Sequence, residues 1–376
     1  MTTKHIIVLG AGRVGGAMAR DLAKDGEFKV TVADVSEEAL GRLQGLETRK
    51  ADLSNPAGVA AAVEGADLVV GAVPGFMGFE TVKAVLQAGK DIVDISFFAE
   101  DPFLLDDLAK EKGCVAVTDC GVAPGCGNIL LGHMATQLDR VHRFVTLVGG
   151  LPVVRTWPFE YQAGFSPIDV IEEYTRPSRY VAHGQEVVMP ALSEPELIEF
   201  PGVGTLEAFN TDGLRTLLHT IDAPFKIEKT LRYPGHIEKM RMLREVGFFG
   251  KEPIDVGGLK VAPLDLTSKL LFPMWQMKEG DEDFTILRVT VEGEKNGRSV
   301  THTFDMLDRY DPATGLTSMA RTTGYTCTAV ARLVASGGYT RKGISPPEFV
   351  GREPGARDFV LAELQKRGIR FTETIN

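Results

Sequence analysis

The sequence feature that most constrains the fold is a glycine-rich turn directly after an apolar run near the N-terminus. Ile6–Leu9 is uninterrupted by polar residues and leads straight into the segment Gly10–Gly15. A buried strand that enters a G-x-G-x-x-G turn and continues as a helix binds a dinucleotide pyrophosphate on the free N–H groups of the helix start. Gly10 is expected to make the tight turn, Gly12 to admit the phosphates and Gly15 to let the helix pack closely. The residues of the turn predicted to contact the cofactor are Gly10, Gly12, Arg13, Val14 and Gly15.

An acidic residue after the next apolar run indicates which dinucleotide is bound. Lys29–Ala33 is typical of a second strand and ends in Asp34, about 20 residues beyond the turn, where a ribose-binding carboxylate is expected. No cation follows to bind a 2′-phosphate, which the carboxylate would repel. The pattern therefore predicts NAD, although Arg13 is a nearby cation that argues for NADP. The alternative is a solvated aspartate and a glycine turn without a ligand.

Bulk composition bounds the class of protein. At 376 residues, with 44% hydrophobic and 24% charged residues, the chain suits two or three globular domains. The net charge of -10 argues against nucleic acid or an anionic membrane as the main partner. The N-terminus enters a predicted strand at once, without room for a signal peptide, and the four cysteines form no C-x-x-C pair. We therefore expect a cytoplasmic protein. No His/Cys cluster has metal-ligand spacing, so no metal is predicted.

Alternating strand and helix patterns over the first part of the chain predict an α/β fold with a doubly wound parallel sheet. The predicted strands are Ile6–Leu9, Lys29–Ala33, Thr48–Ala51, Asp67–Val73, Asp91–Ile95 and Cys114–Val117. Beyond residue 125 the pattern changes, and Asn296-Gly297 between two strand-like runs predicts a β-hairpin. We therefore expect a second, α+β domain with a mixed, largely antiparallel sheet.

Domain boundaries follow from the same patterns. The helical pattern Ser318–Ala335 is expected to return to the first domain. We predict an NAD-binding domain from residues 1–122 and about 318–340. Residues 123–317 and about 341–376 are predicted to form a substrate-binding and oligomerisation domain, in a homodimer or tetramer.

Several strand ends of the first domain carry residues predicted to contact ligands, which bind past the carboxyl ends of the strands in such sheets. Asp52 follows the third strand and is expected near the adenine, and Val73 and Pro74 follow the fourth, along the nicotinamide ribose. Ser96 follows the fifth strand and Asp119 the sixth. Ordinary loop chemistry is the alternative for each.

A group of polar residues further along the chain is suited to bind a zwitterion and to move a proton. Its members are Glu173, Tyr174, Asn210, Thr211, Arg232 and His236. An arginine offers two parallel N–H groups to a carboxylate, and a carboxylate can hold an ammonium. Arg232 is a candidate carboxylate binder, with an interdomain salt bridge as the alternative. His236 is a candidate general base because its ordinary pKa is about 6.5, with a packing or hydrogen-bonding role as the alternative.

At these residues the chain resembles the saccharopine dehydrogenase family, most closely its lysine 6-dehydrogenase branch. The resemblance covers essentially the whole chain. It rests on the segments Val8–Gly15, Asp119–Gly125, Gly204–Leu214, Thr230–His236 and Met319–Gly324. Many dehydrogenases share the first segment, whereas Glu207–Gly213 and Leu231–His236 are much more specific.

The resemblance implies that NAD takes a hydride from the carbon bearing the side-chain amine of L-lysine. The product would be 2-aminoadipate 6-semialdehyde, which cyclises to piperideine-6-carboxylate, with release of ammonia. Arg232 would hold the α-carboxylate, and Asp119 or Glu173 the α-ammonium. His236 or Tyr174 would move the proton or place the water. Since the free amine loses the hydride, alkaline pH should favour turnover.

Two alternatives stay open. Family members that act on saccharopine or carboxylated polyamines commonly carry an aspartate where this chain has Ala123, which favours lysine. A secondary amine such as saccharopine or carboxynorspermidine is the first alternative, and its extra carboxylates need further cations. Those available are Arg176, Arg179, Arg215 and Arg241. The second alternative is an NAD-binding protein without catalytic activity.

Overall fold

A computed structural model describes residues 3–376 of the chain. In chain order its strands are β1 (His5–Leu9), β2 (Lys29–Asp34), β3 (Glu47–Lys50), β4 (Leu68–Gly71), β5 (Ile92–Asp94), β6 (Val115–Val117), β7 (Arg140–Pro152), β8 (Ser178–Ala182), β9 (Gln185–Met189), β10 (Glu196–Phe200), β11 (Gly204–Asn210), β12 (Phe225–Arg232), β13 (Ile254–Val256), β14 (Leu259–Val261), β15 (Asp283–Lys295), β16 (Arg298–Arg309), β17 (Gly343–Ser345) and β18 (Phe371–Ile375). Its α-helices are α1 (Arg13–Ala23), α2 (Glu37–Gly41), α3 (Pro56–Ala62), α4 (Gly75–Gln87), α5 (Asp106–Glu111), α6 (Cys126–Gln137), α7 (Pro167–Thr175), α8 (Leu217–Thr220), α9 (His236–Val246), α10 (Pro263–Trp275), α11 (Ser318–Ala335), α12 (Pro347–Arg352) and α13 (Ala356–Lys366).

These elements form two compact units. The first unit runs to Arg140 and adds His219–Ile221 and Met319–Phe371. The second comprises Val141–Leu218, Asp222–Ser318 and Thr372–Asn376. Among residues 3–376, no helix combines the length and the apolar character needed to cross a membrane.

The first unit is built on a seven-stranded sheet with the order β17-β6-β5-β4-β1-β2-β3. Each pair of neighbouring strands in it runs parallel. The order reverses at β1, which lies between β2 and β4, so the connecting helices cover the sheet on both faces. The predicted α/β fold with a doubly wound sheet is confirmed, with β17 as an additional edge strand.

Local sequence explains where the helices of this unit begin. Ser36 caps α2 by accepting a hydrogen bond from the Ala39 N–H at 3.2 Å, and Asn55 caps α3 through the Gly58 N–H at 2.8 Å. Pro74 precedes α4 with φ -55°, a value that suits a helix start, and α4 begins directly after it at Gly75. The helix therefore starts close to the end of β4.

The predicted assignment of residues 341–376 to the second domain is corrected by the structure. β17 pairs with β6, and α12 packs on α6, so residues up to Phe371 belong to the first unit. Two glycines allow this close packing. A Cβ on Gly132 would lie 2.1 Å from the Glu348 carbonyl oxygen, and a Cβ on Gly351 would lie 2.1 Å from the Ile129 carbonyl oxygen. The segment from residue 123 to Arg140 is corrected in the same way, because α6 also lies in the first unit.

The second unit holds a nine-stranded mixed sheet. Its main path is β10-β11-β12-β7-β15-β16-β18; off this path, β8 pairs with β12, and β9 pairs with β8. β12 and β7 are parallel, whereas β11–β12 and β15–β16 are antiparallel. At the hairpin turn Asn296 and Gly297 have φ of 53° and 71°, as a two-residue type I′ turn requires. The predicted mixed sheet and hairpin are both confirmed.

Candidate functional site

The glycine-rich turn between β1 and α1 has the geometry of a nucleotide site. Gly10 has φ 107°, and a Cβ there would lie 2.5 Å from the Ala72 carbonyl oxygen. A Cβ on Gly15 would lie 2.1 Å from the Gly10 carbonyl oxygen. At Gly12, by contrast, φ is -65° and a Cβ would meet no atom within 4 Å. The packing of the chain does not require glycine at position 12, and the open space there fits a phosphate group.

The carboxylate of Asp34, at the end of β2, is bound to the same turn. Its Oδ2 accepts a hydrogen bond from the Ala11 N–H at 2.6 Å, and its Oδ1 accepts one from the Ser36 N–H at 2.7 Å. These bonds fix the carboxylate at the strand end where a ribose hydroxyl is expected. The site can therefore accommodate a dinucleotide on Gly12 and Asp34.

The other predicted cofactor contacts also take part in local structure. Asp52 accepts hydrogen bonds from the Ser54 hydroxyl at 2.6 Å and the Ser54 N–H at 2.9 Å, and these hold the pKa of Asp52 below its usual value. Asp52 thus closes the turn before α3. Val73 is buried and Pro74 is the N-cap of α4. Arg13 is exposed at the first position of α1, and Val14 is half-buried beside it.

Ser96 has a buried partner, Asp94, at the end of β5. The Ser96 N–H donates to Asp94 Oδ1 at 2.9 Å, and the Ser96 hydroxyl donates to the same oxygen. Burial raises the pKa of Asp94 to about 7, although the hydrogen bonds from Ser96 oppose the shift. Within the described chain, Asp94 Oδ2 has no hydrogen-bond partner. The carboxyl group hydrogen-bonded to Ser96, that of Asp94, therefore has a pKa near neutrality.

Asp119 belongs to the first unit and lies close to Asp94. It is buried, with φ 54°, and its negative charge contributes to the raised pKa of Asp94. A positive φ at a non-glycine residue is uncommon and is enriched at functional turns. The six remaining candidates for substrate chemistry lie in the other unit. From residue 3 onward, no group of three or more His, Cys, Asp or Glu side chains is placed to hold a metal ion.

Arg232 and Glu173 form a buried ion pair in the second unit. The Arg232 Nη2–H donates to Glu173 Oε2 at 2.6 Å, the Nε–H donates to the Tyr174 hydroxyl at 3.2 Å, and the Nη1–H donates to the Leu231 carbonyl at 3.0 Å. The guanidinium also lies 4.5 Å from the centroid of the Tyr161 ring. Burial raises the pKa of Glu173, while the charge of Arg232 opposes that shift. Because both partners lie in one unit, the expected alternative of an interdomain salt bridge is wrong.

His236, the first residue of α9, is bound through both ring nitrogens. Its Nδ1 lies 2.8 Å from the Phe159 carbonyl oxygen and its Nε2 lies 2.9 Å from the Tyr174 hydroxyl. A carbonyl only accepts, so Nδ1 carries the hydrogen and Nε2 accepts from Tyr174. Burial, together with the charge of Arg232, lowers the pKa of His236 to about 3. Burial raises the pKa of Tyr174 to about 12. The geometry thus favours the hydrogen-bonding role of His236 over that of a general base.

Asn210 and Thr211 lie in an adjoining buried network. Asn210 Nδ2 donates to Glu194 Oε2 at 2.8 Å. The Thr211 hydroxyl donates to Glu228 Oε2 at 2.9 Å and lies 2.9 Å from the Thr230 hydroxyl. Burial raises the pKa of Glu228 to about 8, so this carboxyl is protonated at neutral pH. In this structure Asn210 and Thr211 bind other side chains of their own unit.

Three of the additional arginines gather near one buried carboxylate. Arg179 binds Asp212 in a bidentate manner, Nε to Oδ1 at 2.9 Å and Nη2 to Oδ2 at 2.8 Å. Burial lowers the pKa of Arg176, and the positive charges of Arg215 and Arg179 lower it further. Arg241 lies exposed on α9. Arg176 also lies 3.7 Å from Glu172, so the cluster sets three arginines against two carboxylates and keeps a small excess of positive charge.

Glu173, Tyr174, Arg232 and His236 are called the ion-pair site below. Two aromatic side chains that were not among the predicted site residues, Tyr161 and Trp275, complete it. The Trp275 ring is buried and packs edge-on against Tyr161 and Tyr174, with centroid distances of 5.5 Å and 6.3 Å. The segment that begins at Tyr161 is rich in polar and aromatic residues, and this sequence pattern could have pointed to Tyr161. No local pattern points to Trp275, which lies far along the chain on α10.

Comparison with known families matches both parts of the chain. Residues 6–117 match the saccharopine dehydrogenase NADP binding domain, and residues 121–369 match the saccharopine dehydrogenase C-terminal domain. The first unit therefore carries a pyridine-nucleotide-binding domain. The match to the second model covers more than half of the chain and includes Glu173, Tyr174, Arg232 and His236.

Characterised relatives and a solved structure agree with this match. The saccharopine dehydrogenase [NADP(+), L-glutamate-forming] of Pyricularia oryzae is 23% identical over 457 aligned positions and covers 100% of both chains. Carboxyaminopropylagmatine dehydrogenase of Synechocystis sp. is 22% identical, over 83% of this chain and 80% of the relative. Apo saccharopine dehydrogenase (L-Glu forming) of Saccharomyces cerevisiae shares the fold, with a TM-score of 0.80 at 18% identity over 99% of this chain and 100% of that one. The chain therefore belongs to the saccharopine dehydrogenase family of oxidoreductases.

Proposed function

We propose that the protein oxidises the side-chain amine of L-lysine with NAD, releasing ammonia and 2-aminoadipate 6-semialdehyde, which cyclises to piperideine-6-carboxylate. The observation that carries the proposal is the Arg232–Glu173 pair, a cation and an anion held 2.6 Å apart in a buried aromatic site. Such a pair complements the two charges of an α-amino acid. When bound, NAD supplies the hydride acceptor for the carbon that carries the amine.

Arg232 receives the substrate α-carboxylate, and Glu173 receives the α-ammonium. Binding replaces one internal ion pair by two ion pairs to the substrate. The Glu173 side chain is 20% exposed and that of Arg232 is 3% exposed, so Glu173 is the group that solvent reaches more easily. Of the two carboxylates predicted to hold the ammonium, Glu173 is favoured over Asp119 because it lies directly beside the carboxylate-binding cation.

Tyr174 and His236 act as positioning residues. His236 Nε2 accepts from the Tyr174 hydroxyl, which in turn accepts from the Arg232 Nε–H, so the two rings fix the guanidinium. Their pKa values, about 12 and about 3, are poorly matched to proton transfer near neutrality. The substrate amine therefore loses its proton to solvent, and turnover rises with pH toward the ordinary lysine pKa of about 10.4.

Asp34 supports NAD as the cofactor. Its carboxylate is fixed beside the Ala11 N–H and is suited to accept a hydrogen bond from a ribose hydroxyl, whereas a 2′-phosphate would be repelled. The Pyricularia oryzae relative is named for NADP(+), so the preference of this chain needs its own measurement. Binding of NADH and NADPH to the same preparation compares the two directly.

A secondary amine with additional carboxylates is the second candidate substrate. It is favoured by the positive cluster of Arg176, Arg179 and Arg215 around Asp212. Two relatives point the same way, since their names specify saccharopine and carboxyaminopropylagmatine as substrates. In this reading the cluster binds a carboxylate that lysine lacks.

A substrate panel separates the candidates. L-Lysine, saccharopine and carboxynorspermidine are each incubated with NAD or NADP at pH 9, and the reduced nicotinamide is followed by absorbance. Reduction with lysine and NAD supports the proposal. Reduction with a secondary amine alone transfers the assignment to the second candidate. Tight NAD binding without turnover on any amine identifies a protein without catalytic activity.

A further inference from the structure

A cavity of about 270 Å³ opens in the second unit, and Tyr161, whose ring also contacts Arg232, is one of its lining residues. Its lining includes Trp157, Phe159, Tyr161, Met274, Lys278 and Asp281. Trp157 is 80% exposed and Tyr161 is 4% exposed, so the indole forms the rim and the phenol the floor. The volume is slightly below the range of about 300–1,000 Å³ that holds drug-sized ligands, so the cavity suits a small metabolite.

Two opposite charges line this cavity. Asp281 Oδ2 accepts hydrogen bonds from the Gln162 side-chain amide at 2.8 Å and from the Lys278 N–H at 2.7 Å, which fixes the carboxylate. Over the part of the chain that the structure describes, Asp281 Oδ1 and the Lys278 ammonium have no hydrogen-bond or ion-pair partner. One anionic and one cationic group are therefore available at the same opening.

We propose that this cavity binds a zwitterionic amino acid with an unbranched, largely apolar side chain. Lys278 receives the carboxylate and Asp281 receives the ammonium, while Tyr161 and Met274 cover the side chain. An ammonium is also attracted by the faces of the aromatic rings. A ligand with a single charge leaves one of the two groups without a counter-charge. The site uses neither Arg232 nor Glu173, so it does not rest on the proposed reaction.

The experiment uses L-norleucine, a zwitterion without a side-chain amine, and the full-length protein without cofactor. Calorimetric titration measures its affinity beside those of hexylamine and hexanoate, which carry one charge each. Norleucine should bind saturably, and the two singly charged ligands should bind at least about tenfold more weakly. The chain has two tryptophans, and Trp275 is buried, so norleucine should also change the fluorescence of Trp157. Trp157→Phe should abolish that change.

Variants locate the binding. Asp281→Asn and Lys278→Met should each weaken norleucine binding about tenfold or more. The matched controls Asp265→Asn and Lys269→Met, on the exposed face of α10, should leave it unchanged. The proposal is overturned if norleucine does not bind, if both cavity variants bind it with wild-type affinity, or if hexylamine or hexanoate binds equally well.

Lysine kinetics show whether the amino acid in the cavity is the substrate or a second ligand. If Lys278→Met raises the KM for lysine, the cavity holds the substrate itself, and the assignment of its carboxylate and ammonium to Arg232 and Glu173 is wrong. If the KM is unchanged while norleucine binding is weakened, the cavity holds a second amino acid. Either result supports a zwitterion site. Absence of lysine turnover would overturn the proposed reaction but leave norleucine binding as a separate result.

Discussion

The Arg232 guanidinium and the Glu173 carboxylate lie 2.6 Å apart, Nη2 to Oε2, although 58 residues separate them in the chain and both are largely buried. The guanidinium has a tyrosine hydroxyl and a backbone carbonyl as its other acceptors. Removal of the carboxylate charge therefore leaves a buried cation without its counter-ion.

Glu173→Gln should lower the free energy of unfolding by about 3–5 kcal/mol, because breaking a buried ion pair leaves one charge uncompensated. Urea denaturation at pH 7 measures the change. Lys251→Met is the matched control, since Lys251 forms an exposed ion pair with Glu172 at 2.9 Å, and its loss should cost less than about 1 kcal/mol. Equal effects of the two substitutions would show that the Arg232–Glu173 pair contributes no more than a surface pair.

Gly12→Ala should leave the fold intact and weaken nucleotide binding. The backbone of Gly12 suits any residue, and a Cβ there meets no protein atom within 4 Å. The free energy of unfolding should therefore change by less than about 0.5 kcal/mol, while the affinity for NADH falls because the methyl group occupies the phosphate space. Gly15→Ala is the contrasting variant, since its Cβ would lie 2.1 Å from the Gly10 carbonyl oxygen, and it should destabilise the protein. Wild-type NADH affinity in Gly12→Ala would remove position 12 from the site.

Asp34→Asn should change the cofactor preference. The amide keeps an acceptor for the Ala11 N–H but loses the charge that repels a 2′-phosphate. We expect the wild-type protein to bind NADH more tightly than NADPH, and the variant to bind NADH about tenfold more weakly with a smaller difference between the two. Fluorescence titration with both cofactors measures this, and Glu38→Gln on exposed α2 is the control. An unchanged ratio of the two affinities would argue against the assigned role of Asp34.

Glu228→Gln should make stability less dependent on pH. The pKa of Glu228 is raised to about 8 in the folded chain, above its ordinary value of about 4.3 in the unfolded chain. The folded state therefore holds a proton that the unfolded state has released, and the free energy of unfolding falls as pH rises from about 4.3 to about 8. Between pH 5 and pH 8 this loss amounts to at most about 4 kcal/mol. The variant, which has no proton to lose, should not show it.

Denaturation of Glu228→Gln and wild type at pH 5 and pH 8 makes the comparison. Exposed Glu199→Gln should behave like the wild type. Parallel pH dependence of Glu228→Gln and wild type would mean that Glu228 is ionised in the folded protein at neutral pH.

The nucleotide-binding turn and the first sheet were predictable because the patterns that specify them are local. Gly10–Gly15 and Asp34 are set by their own strand ends and by short spacings. The position of residues 341–371 was not predictable in this way. It depends on contacts such as that between Asn128 and Glu348, 3.1 Å apart in space but 220 positions apart in sequence.

The ion-pair site was predictable in its members but not in their contacts. Glu173, Tyr174, Arg232 and His236 were singled out by residue type, and the structure brings all four together. His236 is neutral because burial and the charge of Arg232 lower its pKa, whereas the Phe159 carbonyl, which accepts from the ring, opposes that shift. Side-chain chemistry suggests a base at such a position, whereas burial decides its pKa.

The most direct test of the central claim follows the hydride itself. Lysine with both hydrogens on the carbon next to the side-chain amine replaced by deuterium is incubated with NAD at pH 9, and the reduced nicotinamide is analysed by mass spectrometry. The account predicts one deuterium in each reduced nicotinamide and one ammonia released per turnover. Reduced nicotinamide without deuterium, or deuterium transfer only from a secondary amine labelled at the carbon next to its nitrogen, would contradict it.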